Sequence, residues 1–564
     1  MAKKTTMMEL LAKIGVAAQS SNFLPLEHIH FQLSVEEQEK ALYIPDPLPQ
    51  VSFSLTIKLN EKQMMAAEYA ENRKSFVLTG AAGTGKTTAL REIARTLVES
   101  NKLGTHDFKS GPGPSIAFCA FTHVACGNIR KAIFKDPHLH AKLQNNVLTI
   151  HKLLEFEPEF YTVEDPKTGE LRNTMRFIPR RNASNPLHLT HLIIEEASMV
   201  DANGIWMKLF DALLPGCQII FVGDINQLQP IFGPSVLNHA LINLPVVELT
   251  DVYRQALDSR IIYNAHRVLR GETLESDATE VKLIQTPSGG KLLTEHKICL
   301  GFINSLEKEW KQGIYDPDTN IILSPFNKNE LGTINLNKHI AQFIGDKRKA
   351  EVYEIFAGMN RWYLAIGDKV LVHKMDGVIK SIRHNGRYFG KIPRGPSYNL
   401  TRHGQYIPRG APINDKDLEG DEEDFELSYQ NVNVEDVSDK EKKNEASHIV
   451  VVELEDGEEI TLSQVGDFNQ QIFSLGYALT VHKAQGREWA RVYIMIHKNQ
   501  ATLLSRELIY TALTRASKEV IINDQTNYLT KALKTQRVKG NTTLEKIEWF
   551  NSKISLEVPI PLIP

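Results

Sequence analysis

Cysteine is scarce in this 564-residue chain: Cys119, Cys126, Cys217 and Cys299 are its only four, and no two form a Cys-x-x-Cys pair. That excludes a disulfide framework and a thiolate zinc site, both of which need closely spaced thiols. Small residues of a reduced interior are the expectation instead. Long apolar runs are missing as well, and no stretch approaches the ~20 residues that span a bilayer. Residues 7–18 are apolar, but Glu9 and Lys13 interrupt them and no cleavage pattern follows. They read as an amphipathic helix rather than a secretion signal, so an intracellular, cytoplasmic protein with no membrane partner is expected. Nor is there an excess of one charge. The 65 Lys+Arg against 68 Asp+Glu leave −3, which argues against a simple basic nucleic-acid coat. With 42% hydrophobic residues the chain is neither disordered nor fibrous. Its length suggests three or four domains at ~150 residues each.

What is present is a rhythm. Short β-rich apolar runs at 76–78, 115–120, 192–194, 218–222 and 246–249 alternate with helical patterns, and a later group follows at 321–323, 491–496 and 519–522. Buried strands alternating with helices specify parallel α/β layers, here two of them. From 367 to 469 the pattern changes to strands and hairpins without helices, as in a small β domain inserted into the second layer. A further hairpin is expected over 157–178, turning at 165–169. No solenoid-type repeat occurs.

The strongest chemical signal is Gly80-Ala81-Ala82-Gly83-Thr84-Gly85-Lys86-Thr87-Thr88, between an apolar run and a helical pattern. It satisfies G-x-x-x-x-G-K-[ST] in its strand–loop–helix context. Glycines let backbone N–H groups curl around phosphates, and the helix N-terminus adds partial positive charge. Lys86 is expected to reach the β- and γ-phosphates of ATP and Thr87 to bind Mg²⁺. A second run ends in Glu195-Glu196, where an acid leaving a buried strand can hold Mg²⁺ and its neighbour can orient water. A third ends in Gly223-Asp224-Ile225-Asn226-Gln227, which places polar groups where a γ-phosphate sensor would lie and, taken in isolation, reads as a loop.

Together these segments resemble the superfamily 1 DNA helicases, in particular the RecD/Dda-like branch, over roughly residues 59–523. Leu59-Asn60-Glu61-Lys62-Gln63 resembles the motif whose Gln contacts adenine. Phe121-Thr122-His123 and Thr149-Ile150-His151 resemble two DNA-contacting motifs of the first motor domain. Residues 223–230 resemble the coupling motif, with Gln227 as γ-phosphate sensor. Val252-Tyr253-Arg254-Gln255 carries an arginine that the family points at ATP. Residues 476–486, including Thr480, His482, Lys483 and Gly486, match the fifth motif, and 507–516 match the sixth, with Arg515 as arginine finger. One departure stands out: Glu195 replaces the usual Asp of the metal-binding pair.

The resemblance implies two RecA-like parallel-sheet motor domains, an inserted SH3-like β-barrel and a β-hairpin pin. The expected boundaries are an N-terminal accessory region 1–55, motor one at 56–255 with the pin insertion near 152–190, and motor two at 256–366 and 470–540. The β domain takes 367–469 and a tail 541–564. The implied catalytic residues are Lys86, Glu196, Gln227, Arg254 and Arg515. ATP is expected on Gln63, residues 80–88 and Gly486, with Mg²⁺ on Thr87 and Glu195. Phe121, Thr122, His123, Thr149, His151, Thr480, His482, Lys483, Tyr388 and Arg394 are the DNA-contact candidates. Phe121 reads equally as a core strand residue, and the hairpin as a simple surface hairpin.

The implied activity is ATP-driven 5′→3′ translocation on single-stranded DNA with unwinding of forked duplex, in replication, repair or recombination. An RNA or hybrid helicase and an ATP-gated nucleic-acid clamp are the alternatives. A monomer, alone or with a single-strand-binding or replisome protein, is compatible with this reading. Residues 1–55 match no motif, and the proline-broken apolar tail either docks a partner or packs on its own core. The near-neutral total also hides segregation. Residues 380–409 hold seven Lys/Arg and no acid, whereas 415–426 hold eight acids and one Lys. An aromatic-rich basic arm suits a single strand, and the acidic run suits either a solvated segment or a cover for that arm.

Overall fold

The computed structural model describes residues 59–100, 113, 115–164, 171–230, 233–252, 258–277, 279–287, 292–358, 360–373, 375–386, 398–400, 406–408, 445–455, 457–470, 472–554 and 560–564. The expectations for the N-terminal region, Arg254, Tyr388, Arg394, the acidic run and the hairpin turn lie outside them.

The first sheet comprises β1 (Phe76–Gly80), β2 (Ile116–Ala120), β3 (Val147–Thr149), β4 (His191–Glu195), β5 (Gln218–Gly223) and β6 (Val246–Leu249). Its order is β3-β2-β4-β5-β1-β6, and every pairing is parallel. The strands read as unbroken apolar runs because helices cover both faces. Alternation along them sorts the core. Val77, Ala117, Cys119, Ile194 and Phe221 enter one hydrophobic cluster; Phe76, Leu78, Phe118, Ile193 and Ile220 enter the other. This is the two-residue period of a strand working on both sides of one sheet.

A second all-parallel sheet is built from β7 (Val281–Gln285), β8 (Asn320–Ser324), β9 (Ala478–Thr480), β10 (Trp489–Met495) and β11 (Ala516–Asp524). They lie in the order β9-β8-β10-β11-β7. Two parallel sheets with helical cover are the expected pair of RecA-like layers. All four cysteines are buried and free, as small interior residues.

Between β8 and β9 lies the inserted region. Strands Glu459–Gln464, Glu445–Leu454, Met375–His384, Lys369–Val372 and Phe473–Leu475 form an antiparallel sheet in that order, beside a hairpin of Val352–Ala357 and Asn360–Ala365. Among the described residues the outer strands do not pair with each other, so the expected barrel is seen as an open five-stranded sheet. It shares a core with the second motor, in which Val370, Val452 and Phe473 pack with Ile340 and Tyr493.

The first-motor hairpin is present as Phe156–Glu164 paired with Leu171–Pro179. The C-terminal end returns to the first motor. Leu562 is buried in its core, Trp206 Nε1 donates to the Pro561 carbonyl at 2.8 Å, and Phe550 of the helix Thr543–Ile554 joins the same cluster. Of the two readings for the tail, packing on its own chain is the one observed.

Candidate active site

Strand adjacency creates the site. In the first sheet β4, β5 and β1 are consecutive neighbours, so their C-terminal ends bring Glu195, Asp224 and the loop 80–88 together. That edge is where open α/β sheets carry their ligands. The loop needs its glycines. Gly83 and Gly85 have φ of 80° and 85°, in the left-handed region that side chains disfavour. A Cβ on Gly80 would lie 2.6 Å from Thr84 Oγ1 and 2.7 Å from the Leu249 carbonyl. Helix α2 (Lys86–Ser100) follows, and Lys86 Nζ is held over the loop by the carbonyls of Gly80 at 2.7 Å and Ala81 at 3.1 Å.

Gln63 is fully buried at the start of α1 (Glu61–Glu71). Its amide serves two purposes: Oε1 accepts from Asn60 N in a capping box, and Nε2 donates to the Gly85 carbonyl at 3.2 Å. The residue expected at adenine is therefore also a strut between α1 and the phosphate loop.

The acidic pair is arranged asymmetrically. Glu195 ends β4, whereas Glu196 adopts φ 52°, ψ 42°, a conformation that costs a non-glycine residue about 1–3 kcal/mol when held. Glu196 Oε2 is buried without a hydrogen-bond partner. Burial, then the Glu196 charge, pushes Glu195 up to about 8, against the opposing pull of Lys86 and Arg515. A divalent cation displacing that proton would relieve both costs, so the donors fit Mg²⁺. Among the described residues no cluster of three or more His, Cys, Asp or Glu could cage a metal. A site of few protein ligands completed by phosphate oxygens and water is the usual one for Mg²⁺.

The second motor closes the site. Helix α3 (Arg506–Leu513) carries Tyr510, which is fully buried. Its hydroxyl donates to Asp224 Oδ2 at 2.5 Å and accepts the Ala82 N–H at 2.7 Å. His266 Nε2 lies 3.0 Å from the Ala82 carbonyl, so the second motor contacts both the N–H and the carbonyl of Ala82. Thr511 Oγ1 accepts from Leu228 N at 3.0 Å, and Gln485 Nε2 donates to the Leu228 carbonyl at 2.8 Å. The loop bearing Gln227 is thus pinned at both ends, while Gln227 Oε1 is buried and unpartnered. Arg515 is 6% exposed, its guanidinium fixed by the carbonyls of Thr511 and Arg487 and by Thr514 Oγ1. Arg487 in turn pairs with Asp376 of the inserted sheet.

Tyr510, Asp224, Gln485, Thr511 and His266 were not among the expected site residues. Tyr510 and Gln485 stand inside matched motifs; His266 has no signal in the sequence. Tyr510→Phe removes a donor and an acceptor from a fully satisfied buried chain, a loss of about 1–3 kcal/mol. The expected outcome is a fall in ATP turnover of roughly tenfold or more, with a smaller change in KM, measured by steady-state phosphate release.

The strand-contact candidates share a local design. Thr122, Thr149 and Thr480 each accept a backbone N–H three residues on, from Ala125, Lys152 and Lys483 at 3.2, 3.2 and 3.3 Å. Each hydroxyl still has its hydrogen to donate, as a phosphate oxygen requires. Phe121 lies just beyond β2, half-buried, edge-to-face on His151 at 5.6 Å, and His151 reaches Phe156 at 5.1 Å. It is therefore not a core strand residue. His123 begins the helix His123–Ile133, which Thr122 caps. Burial holds His482 below its usual range, and Lys483 lies beside it. Gly486, expected at the nucleotide, packs against Thr122: a Cβ there would be 2.9 Å from Thr122 Oγ1. Its φ of 74° also favours glycine.

The chain matches an AAA domain family over residues 63–233 and the UvrD-like helicase C-terminal domain over 475–522. It is 26% identical over 495 residues to the ATP-dependent RecD2 DNA helicase of Deinococcus radiodurans, covering 86% of this chain and 52% of that protein. It is 24% identical to the RecBCD enzyme subunit RecD of Mycolicibacterium smegmatis, over 85% and 74% of the two chains. The chain is similar to the RecD-like helicases of superfamily 1. This RecD-like chain spans about half the length of the Deinococcus relative. Among solved structures, a Bacteroides Pif1 helicase in complex with ADP-AlF3 and ssDNA is similar at 16% identity and a TM-score of 0.39, over 84% of this chain and 94% of that one. No helix among the described residues is long and apolar enough to cross a membrane.

Proposed function

We propose that the chain is an ATP-dependent DNA helicase, coupling ATP hydrolysis to movement along single-stranded DNA and to opening of forked duplex. The observation that carries this reading is the joint between the motors: Tyr510, Thr511 and Gln485 of the second hold the phosphate loop and the Gln227 loop of the first. A change at the γ-phosphate is then felt directly by the other motor, which is what a ratchet needs. The 5′→3′ direction is taken from the RecD-like resemblance, as is a role in replication, repair or recombination.

In this reading the loop 80–88 binds the phosphates of ATP, with Lys86 offsetting charge on the β- and γ-groups and Gln63 at the adenine. Thr87 and Glu195 hold Mg²⁺, which supplies charge neutralisation at the phosphates. Glu196 accepts the proton of the attacking water, Gln227 reports on the γ-phosphate, and Arg515 compensates the charge that develops on the transferred group. Arg254 is assigned to the same charge compensation by motif alone. The capping threonines donate to strand phosphates, and Phe121 with His151 faces bases.

Strand displacement on DNA, RNA and hybrid forks with either tail tests the reading. ATP-driven opening of DNA forks bearing a 5′ tail is expected. Opening of RNA forks alone would reassign the substrate, and DNA-stimulated ATP turnover without strand separation would favour a clamp. The hairpin Phe156–Glu164/Leu171–Pro179 is assigned the role of a fork pin. Replacing its outer half by a short linker is expected to retain DNA-stimulated ATP turnover while fork opening is lost; unchanged opening would reduce it to a surface hairpin.

A further inference from the structure

Two cavities meet at residues outside the nucleotide site. The larger, about 560 Å³, is lined by the first motor's Gln229, the second motor's Thr480 and His482, and Arg537, Trp549 and Lys553 of the C-terminal segment. The smaller, about 140 Å³, is lined by Lys338, Arg361, Trp362, Thr480 and Lys483. Asn327 and Thr480 line both, so the two are consecutive along one path.

The charge of that path opposes the chain's own. Its Lys/Arg are Lys338, Arg361, Lys483, Arg537 and Lys553, and its single acid is Glu507. Glu507 is 4% exposed; its Oε1 accepts from the backbone N–H groups of Arg537 and Val538 at 3.0 and 3.1 Å, and its Oε2 is buried without a partner. Five cations against one buried carboxylate, in a chain of net charge −3, select a polyanion. Two indoles narrow the class further. Trp549 is half-buried and meets Phe550 edge-to-face at 5.2 Å. Trp362 meets Phe473 at 5.0 Å, and its Nε1 is buried without a partner. Cations with interleaved aromatic faces are the chemistry of single-stranded nucleic acid, phosphates on the former and bases on the latter.

We propose that the single strand is gripped by two elements outside every helicase motif. One is the C-terminal helix Thr543–Ile554, through Trp549 and Lys553. The other is the hairpin Val352–Ala357/Asn360–Ala365, through Arg361 and Trp362. This rests on the reading of the chain as a single-strand motor and adds to it where the strand runs. The C-terminal helix packs on the first motor, whereas the hairpin packs with the second motor's core. The two grips therefore belong to different motors, as alternating hold and release along one strand requires. Arg361 is exposed and lies 3.5 Å from Glu354, which also accepts from the Tyr363 hydroxyl; a phosphate would compete for the guanidinium with a carboxylate that keeps this second donor.

The test is equilibrium binding of the full chain to a labelled dT oligonucleotide by fluorescence anisotropy across a salt series, with the melting midpoint of each variant recorded. Removing both cations, Arg361→Ala with Lys553→Ala, is expected to lessen the slope of log Kobs against log salt by about 1.4, or ~0.7 for each single-strand phosphate no longer neutralised. Trp549→Leu keeps an apolar side chain against the core but removes the π face. It is expected to weaken binding roughly tenfold at every salt concentration with the slope unchanged, and Trp362→Leu likewise. Wild-type affinity and slope in correctly folded variants would overturn this path while leaving the motor reading in place. A wild-type chain with no affinity for the oligonucleotide at low salt would overturn both.

Discussion

Glu196→Gln is expected to lower ATP turnover by about 10²–10⁴-fold, the range for loss of a positioned general base, while Glu195→Asp remains active. The two acids are adjacent in sequence but not equivalent in structure. Glu196 sits at φ 52° with one carboxylate oxygen buried and unpartnered, an arrangement that costs energy. Glu195 continues the strand, and burial with the Glu196 charge raises its carboxyl to about 8. Burial therefore favours a proton on Glu195 that a bound cation would replace, and the proposed mechanism assigns Glu196 as the acceptor. Shortening Glu195 by one methylene restores the Asp usual in the resembling family, and a bound Mg²⁺ would tolerate the change in reach because such ions keep part of their hydration shell. Phosphate release in the presence of single-stranded DNA measures both variants. A fully active Glu196→Gln chain would remove the base assignment.

Arg515→Ala should be at least as damaging, with about 10³-fold or more lost from turnover if it acts as an arginine finger. The geometry explains why Lys should not substitute. The guanidinium is oriented by three acceptors at 3.0, 3.2 and 3.1 Å, from Thr511, Arg487 and Thr514, a fan that a point-charge ammonium cannot reproduce. These contacts also tie it to the joint, since Thr511 binds the Leu228 amide and Tyr510 binds Asp224 and Ala82. Arg515→Ala and Arg515→Lys are both expected to bind a fluorescent ATP analogue within a few-fold of wild type and to fail in turnover. Weakened analogue binding with turnover intact would assign Arg515 to ground-state binding instead.

The sequence was most legible where burial on two faces leaves an unbroken apolar run. Strands β1, β2, β4, β5, β8, β10 and β11 were readable for that reason, and the edge strand β6 from its alternation of buried and half-buried residues. The edge strand β7 was missed: Val281 alone is buried, and Lys282, Ile284 and Gln285 face out, so neither an apolar run nor a clean alternation marks it. The three-residue strands β3 and β9 were visible only as motif text. Phe121 could not be assigned from sequence, because an aromatic at a strand end reads the same whether it enters the core or, as here, meets His151. The barrel expectation came from resemblance alone, and the described sheet is open because Glu459–Gln464 and Phe473–Leu475 stay at opposite edges.

By itself, then, the sequence determined the phosphate loop, the acidic strand end and the two-layer α/β plan, since each depends on local spacing or on a period of two, while the arginine on the sixth motif came from the family resemblance. Which residues face one another across the motors was decided only by tertiary structure. Tyr510 lies 428 positions from Ala82 and 286 from Asp224, and His266 lies 184 from Ala82. Contacts of that range follow from how two sheets pack, and packing joins side chains whose neighbours in the chain carry no trace of the partner.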